Sequence, residues 1–429
     1  MFAFSRCARR PQFQLSAWLC FSPGLLMLIS LSSAVAADWP QHLGPARNGI
    51  SAEQGLLQSW PVGGPSEVWR VAGGVGSSGL AIAGNRLVTM VQRGGKQLVV
   101  ALDANSGQQY WEALLGPSYE NPQGNGPRGT PTVAGERVYA FSGDGILLAL
   151  ELADGKTAWR HDTLQQHRGL PTDYGMACSP LVVGELVIVT VGAPGVTVVA
   201  YDCESGKTVW TAGQNDLAGY SSPVLLNVGG KDQTVIFTGG AAMGLASDSG
   251  DVLWRYPYIT EFGCNIATPL AVDGGVFLSA GENHGSVLLS LKPSGATFDI
   301  TEVWESLGPK SVLRNEWQTS ILLGDFLFGM DNVGGAGPIT HLTCIEAATG
   351  KRQWRERRYG KGNLIAADGK LFISTLRGEL VVARVNRKKY DEIGRKTILG
   401  STRQAPALAN GLLYLRDNAE IVCLDVRER

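Results

Sequence analysis

The sequence has few charges, few histidines and no short cysteine spacing, and each shortage excludes a class of protein. Only 17 % of the 429 residues are charged and the net charge is −1, which argues against a general nucleic-acid-binding protein. The five histidines are scattered without metal-ligand spacing, and no HExxH, GxSxG or phosphate-loop motif occurs. The sequence therefore carries no recognisable signature of a zinc protease, a serine hydrolase or a nucleotide-binding enzyme.

Long apolar runs are confined to the N-terminus. A basic start, the apolar stretch LCFSPGLLMLISL and the small residues Ala34, Val35 and Ala36 predict a signal peptide over residues 1–36. A retained membrane anchor is the alternative, but Pro23 interrupts the run, which falls short of the roughly 20 residues that a span needs. We therefore expect export, with cleavage near Ala36, to the periplasm or the medium, and no transmembrane segment in the mature chain.

Glycine and tryptophan are abundant, and both recur with a period. The segments VVALDANSGQQYW, LLALELADGKTAW and VVAYDCESGKTVW begin at residues 99, 147 and 198. Each predicts a strand, a tight turn and an outer strand that ends in tryptophan. The tryptophans recur at intervals of 42 to 51 residues: Trp69, Trp111, Trp159, Trp210, Trp254, Trp304 and Trp354. A glycine lies four residues before most of them: Gly107, Gly155, Gly206, Gly250 and Gly350.

A second column of glycines separates pairs of short apolar runs: Gly84, Gly135, Gly184, Gly230, Gly274, Gly324, Gly369 and Gly411. These eight positions predict hairpins, because glycine supplies the positive φ of a tight turn. A tiny residue also lies ten positions before most of the tryptophans. In the longer fifth unit we expect Ser290 to fill that place, fourteen residues before Trp304.

The first and last units are incomplete and complement each other. The segment PSEVWRV (65–71) has a tryptophan strand without a preceding turn, and IVCLDV near the C-terminus has no tryptophan strand after it. A period of 40 to 50 residues with four strands per unit is typical of propellers. We predict an all-β, eight-bladed β-propeller of four-stranded antiparallel blades, as a single domain over residues 39–429. Pairing of the N- and C-terminal strands would close the ring and leave no open sheet edge.

The repeated tryptophans are interpreted as packing between blades rather than as ligand contacts. A buried tryptophan covers roughly 150–250 Å², and the tiny residue leaves room for its close approach. Cys344 and Cys423 occupy the tiny-residue column, so we read them as small fillers. With three further cysteines after the signal peptide, the total is odd, and no short spacing suggests a disulfide framework or a zinc site.

The pattern A-x-D-x-x-T/S-G-x-x-x-W resembles the tryptophan docking motif of pyrroloquinoline quinone (PQQ) propellers. The segments DWPQHLGPARNGIS, NGPRGTPTV, YSSPV and LTCIEAATGKRQW are similar to PQQ-like repeat proteins of planctomycete-type bacteria. The propeller subunit of the outer-membrane barrel assembly machinery shares this architecture. The resemblance implies the fold, and it implies either a non-catalytic binding or scaffold protein or a PQQ-dependent alcohol or polyol dehydrogenase.

The dehydrogenase alternative would imply PQQ gripped between a tryptophan and two adjacent disulfide-linked cysteines, with calcium held by Glu, Asn and Asp. No two cysteines are adjacent here, and no such acid set can be assigned. We therefore expect no cofactor and no metal, and we name no catalytic residue; PQQ with calcium is the alternative. The polar stretch Gly281 to Gly285 is read as a hairpin, with a metal or acid–base pair of Glu282 and His284 as the other interpretation.

Propellers usually bind at the mouth of the axial channel, where the segments leading into the innermost strands lie. Those segments place seven residues near the axis: Arg128, Tyr174, Tyr220, Asn265, Arg314, Trp317 and Arg403. Such cationic and aromatic groups can hold an anionic or sugar ligand, or they can simply fill the funnel and cap strand ends. Both interpretations stay open at this point.

One region is strongly basic. Residues 351–403 contain 15 Lys and Arg against 5 Asp and Glu. Such a run is either a solvated face or a docking surface for an acidic partner, a polyanionic glycan or lipid head groups. The sequence as a whole favours a non-catalytic binding or scaffold propeller of the bacterial envelope, with a protein or polymer partner and no nucleic acid.

Overall fold

Short strands separated by glycine turns build the molecule. The computed structural model describes residues 38–334 and 339–428, so the predicted signal peptide over residues 1–36 lies outside the described residues. Within these ranges the strands form eight four-stranded antiparallel sheets, as predicted. The helical elements described are one short α-helix, Thr163–His167, and one 3-10 turn, Glu261–Gly263. No described helix has the length and apolar character required to cross a bilayer.

The blades follow one another along the chain, each with its first strand innermost. Blade 1 comprises β2 (Ala81–Ala83), β3 (Arg86–Arg93), β4 (Lys96–Asp103) and β5 (Gln109–Pro117); blade 2 comprises β6 (Thr132–Ala134), β7 (Arg137–Phe141), β8 (Ile146–Glu151) and β9 (Thr157–Asp162); blade 3 comprises β10 (Leu181–Val183), β11 (Leu186–Ala193), β12 (Val196–Asp202) and β13 (Thr208–Ala212); blade 4 comprises β14 (Val224–Val228), β15 (Lys231–Phe237), β16 (Ala241–Leu245) and β17 (Val252–Pro257). Blade 5 comprises β18 (Leu270–Val272), β19 (Gly275–Ala280), β20 (Gly285–Ser294) and β21 (Thr297–Leu307); blade 6 comprises β22 (Ile321–Leu323), β23 (Phe326–Val333), β24 (Ile339–Glu346) and β25 (Arg352–Glu356); blade 7 comprises β26 (Gly362–Ala367), β27 (Lys370–Thr375), β28 (Glu379–Arg384) and β29 (Glu392–Thr397); blade 8 comprises β30 (Ala407–Ala409), β31 (Leu412–Arg416), β32 (Glu420–Asp425) and β1 (Ser66–Ala72).

The ring is closed by the two ends of the chain. Strand β1 pairs antiparallel with β32, and Trp69 lies opposite Cys423. The predicted closure is therefore confirmed. The eight hairpin glycines have φ between 55° and 82°, so each turn between a first and a second strand uses a conformation that other residues resist.

The periodic tryptophans contact the following blade. The Trp111 indole N–H donates to the Leu152 carbonyl oxygen at 3.0 Å, and a Cβ added to Gly155 would lie 2.6 Å from the Trp111 ring. Trp69, Trp159, Trp210 and Trp304 donate to the carbonyl oxygens of Ala104, Cys203, Ser247 and Ala347, and their rings lie against Gly107, Gly206, Gly250 and Gly350. Glycine is therefore needed at these positions for two reasons. A Cβ would collide with the face of the indole ring, and the backbone φ is positive.

Two positions depart from the expected repeat. Trp254 turns into its own blade and donates to Gln233 Oε1 at 2.7 Å. Trp304 pairs with Leu288, whereas Ser290 pairs with Thr301. The expectation for Ser290 was therefore wrong, because the β20–β21 hairpin is longer and its register shifts between Leu288 and Leu289.

Blade 7 lacks its own tryptophan, and a residue from another segment takes its place. Gly394 pairs with Val382 beside the register shift that precedes the tryptophan in other blades. A Cβ added to Gly394 would lie 2.3 Å from the ring of Trp60. Trp60 belongs to the chain before β1, so an N-terminal residue packs where the degenerate outer strand leaves a gap.

Residues 38–60, which we call the strap, cross the end of the ring at the turns between first and second strands. The strap carboxylate of Asp38 accepts from the Gly84 N–H at 2.9 Å, and Glu53 accepts from the Gly411 N–H. Backbone hydrogen bonds join the strap to blades 1, 2, 7 and 8 through Ile82, Val133, Ala366 and Val426. The strap therefore closes one end of the axial channel.

Candidate functional site

At the other end of the channel, a cavity of about 860 Å³ lies on the ring axis. The segments that lead into the eight innermost strands line it, through Gly79, Thr130, Ser179, Ser222, Ile266, Thr319, Lys361 and Gln404. Turns between second and third strands lie at the same end, since Glu282 and Arg377 also line the cavity. His42 of the strap belongs to the lining as well, so the cavity is a blind funnel.

Hydroxyl groups join neighbouring lead-in segments. The Thr130 N–H donates to Ser179 Oγ, the Ser179 N–H to Ser222 Oγ and the Thr268 N–H to Thr319 Oγ1, each at 2.9 Å. Because these bonds run from blade to blade, the wall of the funnel is held by the ring itself.

Five of the seven predicted mouth residues line the cavity: Arg128, Tyr174, Tyr220, Trp317 and Arg403. Lys361 Nζ and Arg403 Cζ lie 4.7 and 5.0 Å from the centre of the Trp317 ring, at distances where cation–π attraction holds a charge in place. The rings of Tyr174 and Tyr220 stack with centroids 5.6 Å apart, and burial raises the pKa of Tyr220 to about 12.

Arg128 is held by its own segment. Its guanidinium donates to the Gly126 and Gly124 carbonyl oxygens at 2.6 and 2.7 Å and lies 4.7 Å from the centre of the Tyr119 ring. Burial lowers the pKa of Arg128. This side chain therefore shapes the loop while it lines the cavity.

The other two predicted mouth residues lie behind the wall, which corrects their placement. Arg314 is buried in an ion pair with Asp331, with Nε 2.7 Å from Oδ1. Asn265 is fully buried and donates to the Thr238 and Tyr258 carbonyl oxygens at 2.7 and 3.0 Å. Both satisfy polar groups of the scaffold, and neither lines the cavity.

The basic region supplies one side of the cavity wall. Five of its basic residues line the cavity: Arg358, Lys361, Arg377, Arg395 and Arg403. Lys361 pairs with Glu316 at 2.7 Å and Arg395 pairs with Glu392 at 2.6 Å. Among the residues that the structure describes, no carboxylate forms an ion pair with the other three. Blades 7 and 8 thus present three arginines outside any ion pair of the described residues, and the Glu316 carboxylate interacts with Arg403 only through its charge.

Acidic and thiol groups also belong to the lining, among them Glu316, Glu282 and Cys264. Burial raises the pKa of Glu316, although Lys361 opposes the shift. Burial, together with the charges of Glu282, Asp173 and Glu316, raises the pKa of Cys264 to about 11. Cys264 therefore remains a thiol at neutral pH and lacks the thiolate character of a nucleophile.

Arg47 of the strap lies beneath the funnel and is only 1 % exposed. Its guanidinium donates to the carbonyl oxygens of Ser179 and Pro223 at 3.1 and 2.7 Å and to that of Pro180. Burial lowers the pKa of Arg47 to about 9, which leaves it charged at neutral pH. Burial and the Arg47 charge lower the pKa of His42 to about 3, so His42 is neutral.

The dehydrogenase alternative requires residues that can hold a quinone together with calcium. Among the described residues, no three His, Cys, Asp or Glu side chains come together as metal ligands. The Glu316 carboxylate in the cavity is engaged by Lys361 and Asn332. Glu282 and Asn283 form the turn between β19 and β20 with positive φ, and the His284 ring packs 4.4 Å from Tyr258. These residues do not fit calcium, which takes six to eight oxygen ligands.

Comparisons with known proteins agree with the fold. The family model described as outer membrane protein assembly factor BamB matches residues 63–177 and 171–356. BamB from Moraxella catarrhalis is 16 % identical with a TM-score of 0.58, over 85 % of this chain and 98 % of that one. Quinohemoprotein alcohol dehydrogenase from Comamonas testosteroni is 14 % identical with a TM-score of 0.67, over 93 % and 82 %. A europium-containing methanol dehydrogenase is 14 % identical with a TM-score of 0.52, over 90 % and 89 %. No curated protein matches the sequence.

The predicted similarity to PQQ-like propellers is therefore confirmed, and the structural likenesses establish the fold. Sequence reasoning missed the strap residues His42 and Arg47, for which no periodic signal exists. It also missed Lys361 as a cavity residue. That position was within reach, because Lys361 directly precedes the innermost strand of blade 7, as the predicted mouth residues do in other blades.

Proposed function

The chain belongs to the family described as outer membrane protein assembly factor BamB, and from this premise we propose that it is an exported, non-catalytic binding or scaffold propeller of the bacterial cell envelope. Its binding site is the blind funnel, and its partner is a protein that inserts an acidic segment there. A polyanionic envelope polymer is the other partner that the funnel suits. The signal-peptide pattern over residues 1–36 supports export.

The observation that carries the proposal is the row of locally unpaired arginines on the wall. Arg358, Arg377 and Arg403 line the cavity, and the buried charge of Arg47 lies behind the lining residue His42, whose pKa it helps to lower. Positive charges in a low-dielectric cleft focus the field and favour an anionic partner. Guanidinium groups also form strong paired hydrogen bonds with carboxylates.

A protein partner is favoured over a free polymer by the opposite rim. Leu217, Ile259 and Phe262 are exposed by 63 %, 73 % and 60 % of their surface, and Phe262 also lines the cavity. Large exposed apolar side chains near a binding cleft are typical of protein contact sites. An acidic segment with apolar flanks would meet both sides of this mouth.

The experiment is charge reversal with a matched control. The triple variant Arg358→Glu, Arg377→Glu, Arg403→Glu should weaken binding of poly-L-glutamate at least tenfold in calorimetric titration. The control variant Arg357→Glu, Lys388→Glu, Lys389→Glu changes the same charge outside the cavity lining and should leave affinity within about twofold. Equal losses in both variants would contradict a funnel site.

Pull-downs from envelope extracts, with the wild type and the same two variants as baits, identify the partner. A partner captured by the wild type and the control, but not by the triple variant, supports the proposal. Polygalacturonate in place of poly-L-glutamate distinguishes a polymer from a peptide: tighter, funnel-dependent polygalacturonate binding would overturn the preference for a protein.

A PQQ-dependent alcohol or polyol dehydrogenase is the second candidate. The Trp317 ring, with Lys361 and Arg403 beside it, suits a planar polycarboxylate, whereas the acid set does not suit calcium. Incubation with PQQ and calcium, followed by measurement of bound quinone absorbance and dye reduction with alcohols, decides between the two. Tight binding with turnover would overturn the non-catalytic proposal.

A further inference from the structure

A second, much smaller chamber lies behind the wall of the funnel. It has a volume of about 10 Å³, the lower bound of the space that holds one water molecule. Glu316, Trp317 and Lys361 separate it from the funnel, because they line both cavities. Its remaining lining comes from Gln318, Met330, Asn332, Thr340 and Gly362.

Three of the lining residues each have a buried polar atom without a hydrogen-bond partner among the described residues: Gln318 Nε2, Asn332 Oδ1 and Thr340 Oγ1. Their side chains belong to residues no more than 2 % exposed. A buried polar atom without a partner costs about 1–3 kcal/mol. Three such atoms on residues that line one space are placed to share a single polar partner.

The orientations of the two amides are fixed by their other bonds. Gln318 Oε1 accepts from the Met330 N–H at 2.8 Å, so exchanging the amide atoms would set an NH₂ group against a backbone donor. Asn332 Nδ2 donates to Glu316 Oε2, and the exchange would place an oxygen against the carboxylate. The chamber therefore presents one donor, one acceptor and one hydroxyl group, which matches the needs of a water molecule.

We propose that one buried water molecule occupies this chamber, accepting from Gln318 Nε2 and donating to Asn332 Oδ1, with Thr340 Oγ1 as the third partner. A water with three polar partners is the ordinary arrangement for buried waters. A cation is disfavoured, because the Gln318 NH₂ group points into the same space.

The water also supports the funnel wall. It polarises the Asn332 amide, which donates to Glu316, and Glu316 holds Lys361 beside Trp317. Hydrogen bonds in such chains strengthen one another. Gln318, Asn332 and Thr340 are therefore positioning residues for the wall, and this inference stands whether or not the partner of the funnel is a protein.

The chain offers a matched pair of threonines for the test. Thr340 and Thr343 lie on the same strand, both are at most 2 % exposed, and both hydroxyl oxygens lack partners among the described residues. Only Thr340 lines the chamber. Thr343→Val removes an unpaired hydroxyl group and should keep or raise the melting temperature. Thr340→Val removes a bond to the water and should lower it.

The second readout is the titration of Glu316, followed by carboxyl carbon NMR. Thr340→Val should raise the pKa of Glu316, because loss of the water weakens the donation from Asn332, and Thr343→Val should leave it unchanged. A crystal structure of the wild type should show an ordered water within hydrogen-bond distance of all three atoms. An empty chamber, or equal stabilisation by both valine variants, would overturn the proposal.

Discussion

The two ends of the axial channel carry arginines in opposite circumstances. At the strap end, Arg47 is fully buried and its guanidinium donates to neutral oxygens, three of them in carbonyl groups at blades 3 and 4. At the mouth, Arg358, Arg377 and Arg403 are exposed and form no ion pair with a described carboxylate. The first holds the ring together, whereas the other three keep much of their surface exposed at the mouth. The same residue type thus serves structure at one end and recognition at the other.

The largest expected effect separates these two roles. Arg47→Met should lower the free energy of unfolding by about 3–5 kcal/mol, because it leaves several buried carbonyl oxygens without donors. Arg377→Met at the mouth should change it by less than about 0.5 kcal/mol. Urea denaturation followed by tryptophan fluorescence measures both. Similar losses in the two variants would remove the distinction between the ends.

The next largest difference is expected between Trp60 of the strap and Trp317 at the mouth. Trp60→Ala should cost about 2–4 kcal/mol, since a half-buried indole that fills the gap over Gly394 is lost. Trp317→Ala at the mouth should cost less stability than Trp60→Ala and should instead weaken polyanion binding, because Lys361 and Arg403 lose the ring beside them. Thermal unfolding and calorimetric titration of both variants check the pair. If Trp60→Ala unfolds like the wild type, the strap does not stabilise blade 7.

The strap end should also respond to acid through a change in the stability of the fold. The folded pKa of His42 is lowered to about 3 from 6.5, so the unfolded chain binds more protons and stability falls as pH drops below 6.5. The loss should reach about 2–3 kcal/mol by pH 4.5, and His42→Gln should abolish this part of the pH dependence. Denaturation midpoints across pH 7 to 4.5 measure it.

Glu316 should respond in the opposite sense and more weakly. Its folded pKa is raised by burial, so its contribution is most favourable below the ordinary glutamate value and is lost as pH rises through the folded value. The wild type should therefore lose a little stability as the pH rises through the folded pKa of Glu316. The Glu316→Gln variant should lack this loss. A larger loss in the variant near neutral pH would show that its pairing with Lys361 outweighs its desolvation.

The sequence predicted those parts of the molecule that repeat. Eight hairpin glycines and a tryptophan column sufficed for blade number and ring closure, because each residue type answers a local requirement that recurs in every blade. Ser290 was misplaced because one longer hairpin shifts the register within a blade. Arg314 and Asn265 were misplaced because a lead-in segment has an inner and an outer side, and position in sequence does not distinguish them. Arg47 and Trp60 occur once, so only the fold reveals what they contact.

The central claim is that an anionic partner binds in the funnel and nowhere else on the basic region. Hydrogen–deuterium exchange with and without poly-L-glutamate tests it directly. We predict added protection at residues 358–361, 375–379 and 401–405, with no change at the outer positions 386–389 or in the strap. Protection at 386–389 with none at the three funnel segments would contradict the account.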